Sequence, residues 1–360
     1  MTHKVALVMA GGTGGHIFPG LAVAHGLRAQ GWEVHWLGGP APSMESELVP
    51  PQGFPFEPIA FGGVRGKGLQ SWFWLPLRLL RAFWQAWRVV RRLRPQVVLG
   101  LGGYITFPGG MMAVLSGSRL LLHEQNAVAG LANKVLAQVA DAVYTAFPKA
   151  LPQAQWIGNP LRQAFLTQDA PETRFAQRQG PLRLLIVGGS LGAQALNRVV
   201  PQALALLPEG QRPLVTHQSG TRHIEALREA YAAHGVQAEL TPFIQDTARA
   251  FAQADVVIAR AGASTVTELA AVGVAALWVP YPYAVDDHQT TNARFLTDAG
   301  AGWLQPESEL TPQGLAQWLA GLDRAVLLRH AQAAYAQRQV AAVQTLVQAC
   351  EACVQPKASA

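Results

Sequence analysis

The sequence predicts an α/β protein made of two Rossmann-like domains with parallel sheets. The first observation behind this prediction is that the two halves of the 360-residue chain open alike. Residues 4–10 form a continuous apolar run that leads into Gly11–Gly15, and residues 182–187 form another that leads into Gly188 and Gly189. A buried strand, a glycine turn and a helix start are how a Rossmann-like unit begins.

The second observation is an alternation of short apolar runs with helical patterns, which favours parallel α/β sheets. The further strand candidates are 34–37, 97–100, 120–123, 142–145, 214–218, 256–259 and 275–280. The joint between the halves falls near Gly158–Leu161, so we expect domains at 1–161 and 162–334. A helical segment within 335–360 can join the first domain or pack on the second.

Composition excludes a disordered chain, because half of the residues are hydrophobic and only 14% are charged. A net charge of +6 predicts attraction to nucleic acid, anionic lipid or phosphorylated small molecules, and does not choose among them. No signal-peptide pattern opens the chain, and no stretch approaches the ~20 apolar residues of a spanning helix. We therefore expect a cytosolic protein whose membrane contact is peripheral.

The only cysteines, Cys350 and Cys353, lie in a helical pattern near the carboxyl end. So few cysteines favour a reducing compartment. Their spacing is compatible with a redox or metal motif, but no second pair exists, so we favour two neighbours on one helix face. The sequence predicts no metal site and no cofactor.

Residues 58–123 contain no Asp or Glu and mix arginines with tryptophans. The stretch from Pro76 to Arg94 suits one helix. A basic helix with tryptophans is typical of an element that lies in a membrane interface. Its expected membrane-docking residues are Trp72, Trp74, Arg78, Arg81, Trp84 and Arg88. A buried helix with solvated arginines is the alternative, and no nucleic-acid module accompanies the stretch, so a nucleic-acid partner is not expected.

Two glycine turns predict ligand sites. The turn Gly11–Gly15 lets the backbone approach a ligand closely, and His16 at the following helix start makes an acid–base role plausible. A plain strand-to-helix turn remains the alternative. In the second half, Ser190 beside its glycine turn and the helix start at 260–268 suit an anion, because free N–H groups meet there. Glu268 can accept hydroxyl hydrogen bonds or complement the helix dipole.

Two polar clusters complete the candidate sites. His123–Asn126 follows a buried strand, where ligand crevices of such sheets lie. Asp286–Asn292 could bind a metal or a sugar, and we favour the sugar because Gln and Asn are poor partners for one His in a metal site.

These motifs together resemble the MurG family, bacterial N-acetylglucosaminyltransferases of peptidoglycan synthesis. The resemblance runs nearly end to end. It rests on Gly-Gly-Thr-Gly-Gly-His at 11–16, Gly-Gly-Tyr at 102–104, His-Glu-Gln-Asn at 123–126, Gly-Asn-Pro-Leu-Arg at 158–162, Gly-Gly-Ser-Leu-Gly-Ala at 188–193 and the segment 260–268.

The resemblance implies a GT-B fold with an interdomain cleft and inverting transfer of GlcNAc. The donor would be UDP-GlcNAc, and the acceptor would be the C4 hydroxyl of MurNAc in undecaprenyl-linked lipid I, giving lipid II. It also implies a place at the cytoplasmic face of the inner membrane, contact with its anionic surface, and cell-wall or division proteins as candidate partners.

The resemblance also implies roles for individual residues. His16 is the candidate base, with His123 and Glu124 as second choices. The implied substrate contacts are Thr13, Gly14, Gly15, Asn126, Arg162, Ser190, Ile244, Ala263, Ser264, Thr265, Val266, Thr267, Glu268 and Gln289. The family commonly has paired glutamines where this chain has His288-Gln289, so a sugar contact is assigned to Gln289 alone.

Two alternatives remain open from the sequence. One is another UDP-sugar enzyme, either a glycolipid transferase of the same fold or an epimerase, and the epimerase would not need the basic aromatic helix. The other is a silent module that binds a nucleotide-sugar and docks a partner at the membrane. The glycine turn, His16 and Glu268 argue against the silent module.

Overall fold

The computed structural model describes residues 3–62, 74–189 and 192–354, except for the side chain of Val285. The chain divides into two compact units. The first comprises Met1–Arg162 with Gln339–Ala360, and the second comprises Gln163–Arg338. Arg162 thus closes the first unit, whereas the predicted boundary put it at the start of the second domain.

The first unit contains a seven-stranded sheet in which all pairings are parallel. Its strands are β1 (Val5–Met9), β2 (Glu33–Gly38), β3 (Phe56–Pro58), β4 (Val97–Gly100), β5 (Arg119–Glu124), β6 (Ala142–Thr145) and β7 (Gln155–Trp156). Its helices before the joint are α1 (Gly14–Ala29), α2 (Met44–Leu48), α3 (Leu75–Leu93), α4 (Thr106–Leu115) and α5 (Leu131–Leu136). The strand order is β3-β2-β1-β4-β5-β6-β7.

Both faces of this sheet are covered, which explains why its central strands are apolar throughout. Along β1, Ala6 and Val8 enter the core beneath α1, while Leu7 and Met9 enter a second core beneath α3, α4 and α5. This alternation follows from the two-residue period of a strand.

The second unit contains a six-stranded parallel sheet of order β10-β9-β8-β11-β12-β13. Its strands are β8 (Arg183–Val187), β9 (Leu214–Gln218), β10 (Glu239–Thr241), β11 (Val256–Ala259), β12 (Ala275–Trp278) and β13 (Gly302–Leu304). Its helices are α6 (Gln163–Leu166), α7 (Pro171–Ala176), α8 (Gln194–Ala205), α9 (Ile224–Ala233), α10 (Thr247–Gln253), α11 (Ala263–Val272), α12 (His288–Thr297), α13 (Pro312–Ala320) and α14 (Arg324–Ala336).

The carboxyl-terminal helix α15 (Ala342–Val354) returns to the first unit and packs on α1. Leu346 and Cys350 enter the core under α1, and Lys4 forms an ion pair with Glu351 at 2.6 Å. Burial raises the pKa of the Cys350 thiol. Cys350 and Cys353 are both free thiols, and their side chains serve as packing in this core.

Candidate active site

Three loops meet at the carboxyl end of the central strands of the first sheet. They follow β1, β4 and β5, which are neighbours in the sheet. The first two are in backbone contact, since a Cβ built on Gly103 would lie 2.5 Å from the carbonyl oxygen of Gly11. The sheet therefore brings the predicted glycine turn, the Gly102–Tyr104 motif and the His123–Asn126 cluster to one place.

The turn after β1 leads into α1, whose N-cap is Thr13. Amides in the first turn of a helix have no intrahelical acceptor, so Gly14 and Gly15 present N–H groups where an anion or a hydroxyl can bind. Phe18 lies on the next turn of this helix, and its ring centre is 5.6 Å from the guanidinium of Arg162. Thr13, Gly14, Gly15 and Arg162 thus belong to one unit and flank the start of one helix.

One ring nitrogen of His16 is hydrogen-bonded to the backbone. Its Nδ1 lies 3.1 Å from the carbonyl oxygen of Gly11, and a carbonyl oxygen can only accept a hydrogen bond. Nδ1 therefore carries the proton and Nε2 carries the lone pair. This tautomer leaves Nε2 able to take a proton from a substrate hydroxyl.

His123 has both nitrogens engaged inside the protein. It is fully buried, its Nε2 donates to the Gly158 carbonyl oxygen at 2.8 Å, and its Nδ1 accepts from Gln125 at 3.1 Å. Burial lowers the pKa of His123 to about 4. The imidazole is neutral near pH 7 and has no lone pair to offer a substrate.

Glu124 is surrounded by donors. Its Oε1 accepts from the backbone N–H of Asn126 at 2.9 Å, and its Oε2 accepts from the side chain of Asn133 at 2.8 Å and the N–H of Gly130 at 3.2 Å. Glu124 as a whole is 3% exposed. Its hydrogen bonds shape the loop that carries Asn126, which is a different task from the base chemistry predicted for it as a second choice.

Glu45 is a site residue that the sequence analysis missed. Its carboxylate is fully buried and accepts from the backbone N–H of Gly12 at 3.1 Å and of Gly39 at 3.0 Å. It therefore joins the turn after β1 to the end of β2. Burial, and then the charge of Glu45, raise the pKa of Tyr104 beside the same turn. In sequence, Glu45 resembles any acid in the first turn of a helix, so no pattern identified it.

In the second unit, the predicted anion site lies where β11 runs into α11. Gly262 is the N-cap, and Ala263, Ser264 and Thr265 form the first helical turn. The hydroxyl of Ser264 is buried and has no hydrogen-bond partner among the described residues. A buried hydroxyl beside helix-start amides suits a phosphate oxygen.

The next two residues of α11, Val266 and Thr267, turn their side chains into the protein. Val266 is fully buried, and the hydroxyl of Thr267 donates back to the carbonyl oxygens of Ala263 and Ser264 at 2.9 and 3.0 Å. The side chains of these two residues, both predicted as substrate contacts, are therefore not available to a ligand, and the N–H of Val266 donates to the Gly262 carbonyl oxygen at 3.0 Å. Glu268 is half-buried, one turn into the helix.

The remaining predicted contacts of this unit lie on loops at the same end of the sheet. Ile244 follows β10 and is half-buried. Gln289 is the second residue of α12, its side-chain oxygen accepts from the N–H of Tyr281 at 2.9 Å, and its NH2 group has no hydrogen-bond partner among the described residues. The buried Asn292 instead donates to the Ala261 carbonyl oxygen at 3.1 Å and ties α12 to the loop before α11.

Ser190 and Trp72 lie outside the described residues. The turn that precedes Ser190 is supported from β9, where Gln218 donates to the Gly189 carbonyl oxygen at 3.2 Å. Among the described residues, no group of three or more His, Cys, Asp or Glu side chains could hold a metal ion.

The surface of the first unit carries an apolar and basic face on α3. Ala82, Ala86, Val89 and Val90 pack inward, whereas four larger apolar residues, Leu77, Leu80, Trp84 and Trp87, are exposed. Leu77, Leu80 and Trp84 are 58%, 64% and 53% exposed. The guanidinium of Arg88 lies 4.8 Å from the ring centre of Trp84. In the described ranges, no helix is both long enough and apolar enough to cross a membrane.

Known proteins match this chain along almost its whole length. Residues 6–145 match the glycosyltransferase family 28 N-terminal domain, and residues 183–350 match its C-terminal domain. A protein of Paracidovorax citrulli, called UDP-N-acetylglucosamine–N-acetylmuramyl-(pentapeptide) pyrophosphoryl-undecaprenol N-acetylglucosamine transferase, is 66% identical over 98% of this chain and 99% of its own. One of the same name from Albidiferax ferrireducens is 64% identical over 98% and 92%.

A solved structure agrees with these relatives. The crystal structure of Acinetobacter baumannii MurG superposes with a TM-score of 0.85 at 41% identity, covering 97% of this chain and 99% of that one. Two parallel α/β units with these matches define a glycosyltransferase of the GT-B fold. Within that class, the chain belongs to the MurG family of N-acetylglucosaminyltransferases.

The buried hydrogen bonds of Glu45 make a testable prediction. In Glu45→Gln, an NH2 group replaces one acceptor oxygen opposite a backbone N–H, so the free energy of unfolding should fall by about 1–3 kcal/mol. Amide hydrogen exchange across residues 11–15 should accelerate. Glu47→Gln, on the exposed side of the same helix, is the matched control. Equal behaviour of the two variants would contradict the anchoring role of Glu45.

Proposed function

We propose that the chain transfers GlcNAc from UDP-GlcNAc to the C4 hydroxyl of MurNAc in undecaprenyl-linked lipid I. The products are lipid II and UDP, the anomeric configuration inverts, and the reaction serves peptidoglycan synthesis. The observation that carries this proposal is the near-full-length identity to transferases whose names state this donor and acceptor.

The proposed chemistry is a single displacement. Nε2 of His16 takes the proton of the acceptor hydroxyl, and the hydroxyl oxygen forms a bond to C1 of GlcNAc. The bond from C1 to the UDP oxygen breaks, and its electron pair leaves with UDP. His16 is preferred to His123 and Glu124 because its Nε2 alone combines a lone pair with a place at the glycine turn.

The departing UDP needs stabilisation of its negative charge. We assign this to the amides of Ala263, Ser264 and Thr265 at the start of α11, together with Ser190, which follows Gly188 and Gly189 in the sequence. Glu268 accepts hydrogen bonds from the ribose, and Ile244 and Arg162 contact the uracil. Val266 and Thr267 offer no side-chain contact, because their side chains are turned into the protein.

The sugars are held by neutral groups. Asn126 and the free NH2 of Gln289 bind GlcNAc hydroxyls, which suits side chains that can both donate and accept. Thr13, Gly14 and Gly15 lie against the donor sugar and the diphosphate of the acceptor, where first-turn amides favour an anion.

We also propose that the first unit docks on the cytoplasmic face of the inner membrane through α3. The exposed Leu77, Leu80 and Trp84 can enter the interface, while Arg78, Arg81 and Arg88 meet anionic headgroups. Each basic group near such a surface contributes about 1 kcal/mol. The membrane is then where the acceptor is found, and cell-wall or division proteins are partners expected there.

Release of UDP tests the proposed reaction. UDP should appear from UDP-GlcNAc only when a lipid I analogue is added, and the analogue should gain one GlcNAc. Binding of UDP-GlcNAc without acceptor-dependent release would favour another acceptor or a silent binding module.

The same assay tests His16. His16→Ala should lower kcat by about a hundredfold or more, because general base catalysis contributes about that much. The Kd for UDP-GlcNAc should stay unchanged. His25→Ala, on the same helix and half-buried, is the control and should keep its activity. Near-full turnover of His16→Ala would reject His16 as the base.

Membrane docking predicts a charge effect that sedimentation with vesicles can measure. Arg78→Glu, Arg81→Glu and Arg88→Glu together should release the protein from vesicles that contain phosphatidylglycerol. The control is substitution by Glu of three exposed arginines of the second unit, Arg198, Arg222 and Arg329. It changes the net charge by the same amount and should leave vesicle binding intact. If both triple variants bind alike, α3 is not the docking surface.

A further inference from the structure

Gln125 holds a buried oxygen without a partner. The residue follows β5 and is 1% exposed. Its Nε2 donates to the Nδ1 of His123 at 3.1 Å and to the carbonyl oxygen of His123 at 3.2 Å. Its Oε1 is buried and accepts no hydrogen bond from the described residues. Burying an unpaired acceptor is unfavourable, so this oxygen calls for a physical explanation.

The orientation of the Gln125 amide follows from its neighbours. The Gly158 carbonyl oxygen can only accept, so the Nε2 of His123 carries the proton and its Nδ1 carries a lone pair. The lone pair of Nδ1 and the carbonyl oxygen of His123 both require a donor. Gln125 must therefore turn its NH2 group toward His123 and its oxygen away from it.

The oxygen of Gln125 and the ring of His16 border the same space beside Gly102. A Cβ built on Gly102 would lie 3.0 Å from the Nε2 of His16 and 3.2 Å from the Oε1 of Gln125. Gly102 has a φ of +93°, a backbone conformation that favours glycine, and leaves this space open to the two side chains. Since Nε2 of the neutral His16 is also an acceptor, the two atoms cannot bond to each other until Nε2 gains a proton.

We propose that Gln125 is a positioning residue whose side-chain oxygen accepts a hydrogen bond from the Nε2–H of His16 after His16 has taken the acceptor proton. This inference rests on the proposed function. The O–H bond of the acceptor hydroxyl breaks, the N–H bond forms on Nε2, and the oxygen's electron pair forms the bond to C1 as UDP leaves. A slight rotation of the ring then directs the new N–H to Gln125, away from the new glycosidic oxygen.

Other titratable groups around His16 are compatible with this role. Glu45 lies beneath the turn and binds the Gly12 N–H, and the Tyr104 ring lies 3.5 Å from where a Cβ on Gly12 would be. His123 lies behind Gln125 and is neutral near pH 7, because burial lowers its pKa to about 4. The hydrogen bonds that link the Gly158 carbonyl oxygen, His123 and Gln125 therefore keep the same donors and acceptors near pH 7.

The test is a titration of His16 by NMR in protein with labelled histidines, with the signal assigned from His16→Gln. A hydrogen bond to the imidazolium favours its charged form, so removal of the accepting oxygen should weaken proton binding at His16. Gln125→Met keeps the size and removes the oxygen. It should lower the pKa of His16 by about one unit, a tenfold loss of proton affinity. An unchanged or higher pKa would overturn the proposal.

One further variant guards against a general effect on folding. Gln96 supports the opposite end of the same sheet, where its Oε1 accepts from the Val5 N–H at 2.6 Å. Gln96→Met should leave the titration of His16 unchanged. A shift in Gln96→Met equal to that in Gln125→Met would reject a specific role.

Turnover gives an independent measurement. Gln125→Met should lower kcat by about tenfold with the KM for UDP-GlcNAc unchanged, and should have no further effect in His16→Ala. The same fold loss in both backgrounds would show that Gln125 does not act through His16. The NMR titration needs no turnover. Failure to extend lipid I therefore rejects the proposed function alone, and an unmoved titration rejects this inference alone.

Discussion

In the first unit, the turn after β1 and the loop after β4 lie backbone to backbone, and no side chain fits between them. A Cβ on Gly103 would be 2.5 Å from the Gly11 carbonyl oxygen, and Gly102 leaves the adjoining space to His16 and Gln125. Because the two loops touch, the Gly11 carbonyl oxygen is held where it fixes the tautomer of His16. The candidate base and the first amides of α1 therefore depend on one close backbone contact.

The second unit repeats this constraint at its own glycine turn. A Cβ on Gly192 would lie 2.2 Å from the Ser219 carbonyl oxygen, so the turn after β8 rests on the backbone that follows β9. Asn197 donates to the same carbonyl oxygen at 3.1 Å, and the buried His217 holds Asn197 at 3.0 Å. Burial lowers the pKa of His217 to about 3, which keeps this support neutral. The backbone on which this turn rests is therefore supported, through Asn197, by a buried neutral histidine.

The fold class was predictable because central strands of covered parallel sheets are apolar on both faces. Every buried strand expected from such a run is present, and the fold is confirmed by the family matches. The edge strands β3, β7, β10 and β13 were not predicted. They are two or three residues long and partly exposed, so they leave no apolar run. The outward face of α3 has the periodicity of a core helix, and only the structure shows which side packs.

The site was predictable in outline for a similar reason. The position of polar residues directly after a buried strand predicted the His123–Asn126 cluster, and the position of His16 directly after the glycine turn predicted its role. The order of His16 before His123 and Glu124 had no physical basis in the sequence, because their difference lies in hydrogen-bond partners such as the Gly158 carbonyl oxygen and Asn133. Glu45 was missed for the same reason, since burial of that carboxylate depends on strands distant in sequence. The side chains of Val266 and Thr267 turn inward because their helix must pack on the sheet.

The proposed reaction is a direct displacement at C1 by the C4 hydroxyl of the acceptor. NMR analysis of the purified product formed from α-linked UDP-GlcNAc and a lipid I analogue tests it most directly. A direct displacement predicts a single GlcNAc joined through C4 of MurNAc in the β configuration. An α linkage would contradict the single displacement, and attachment at another hydroxyl would contradict the assigned acceptor.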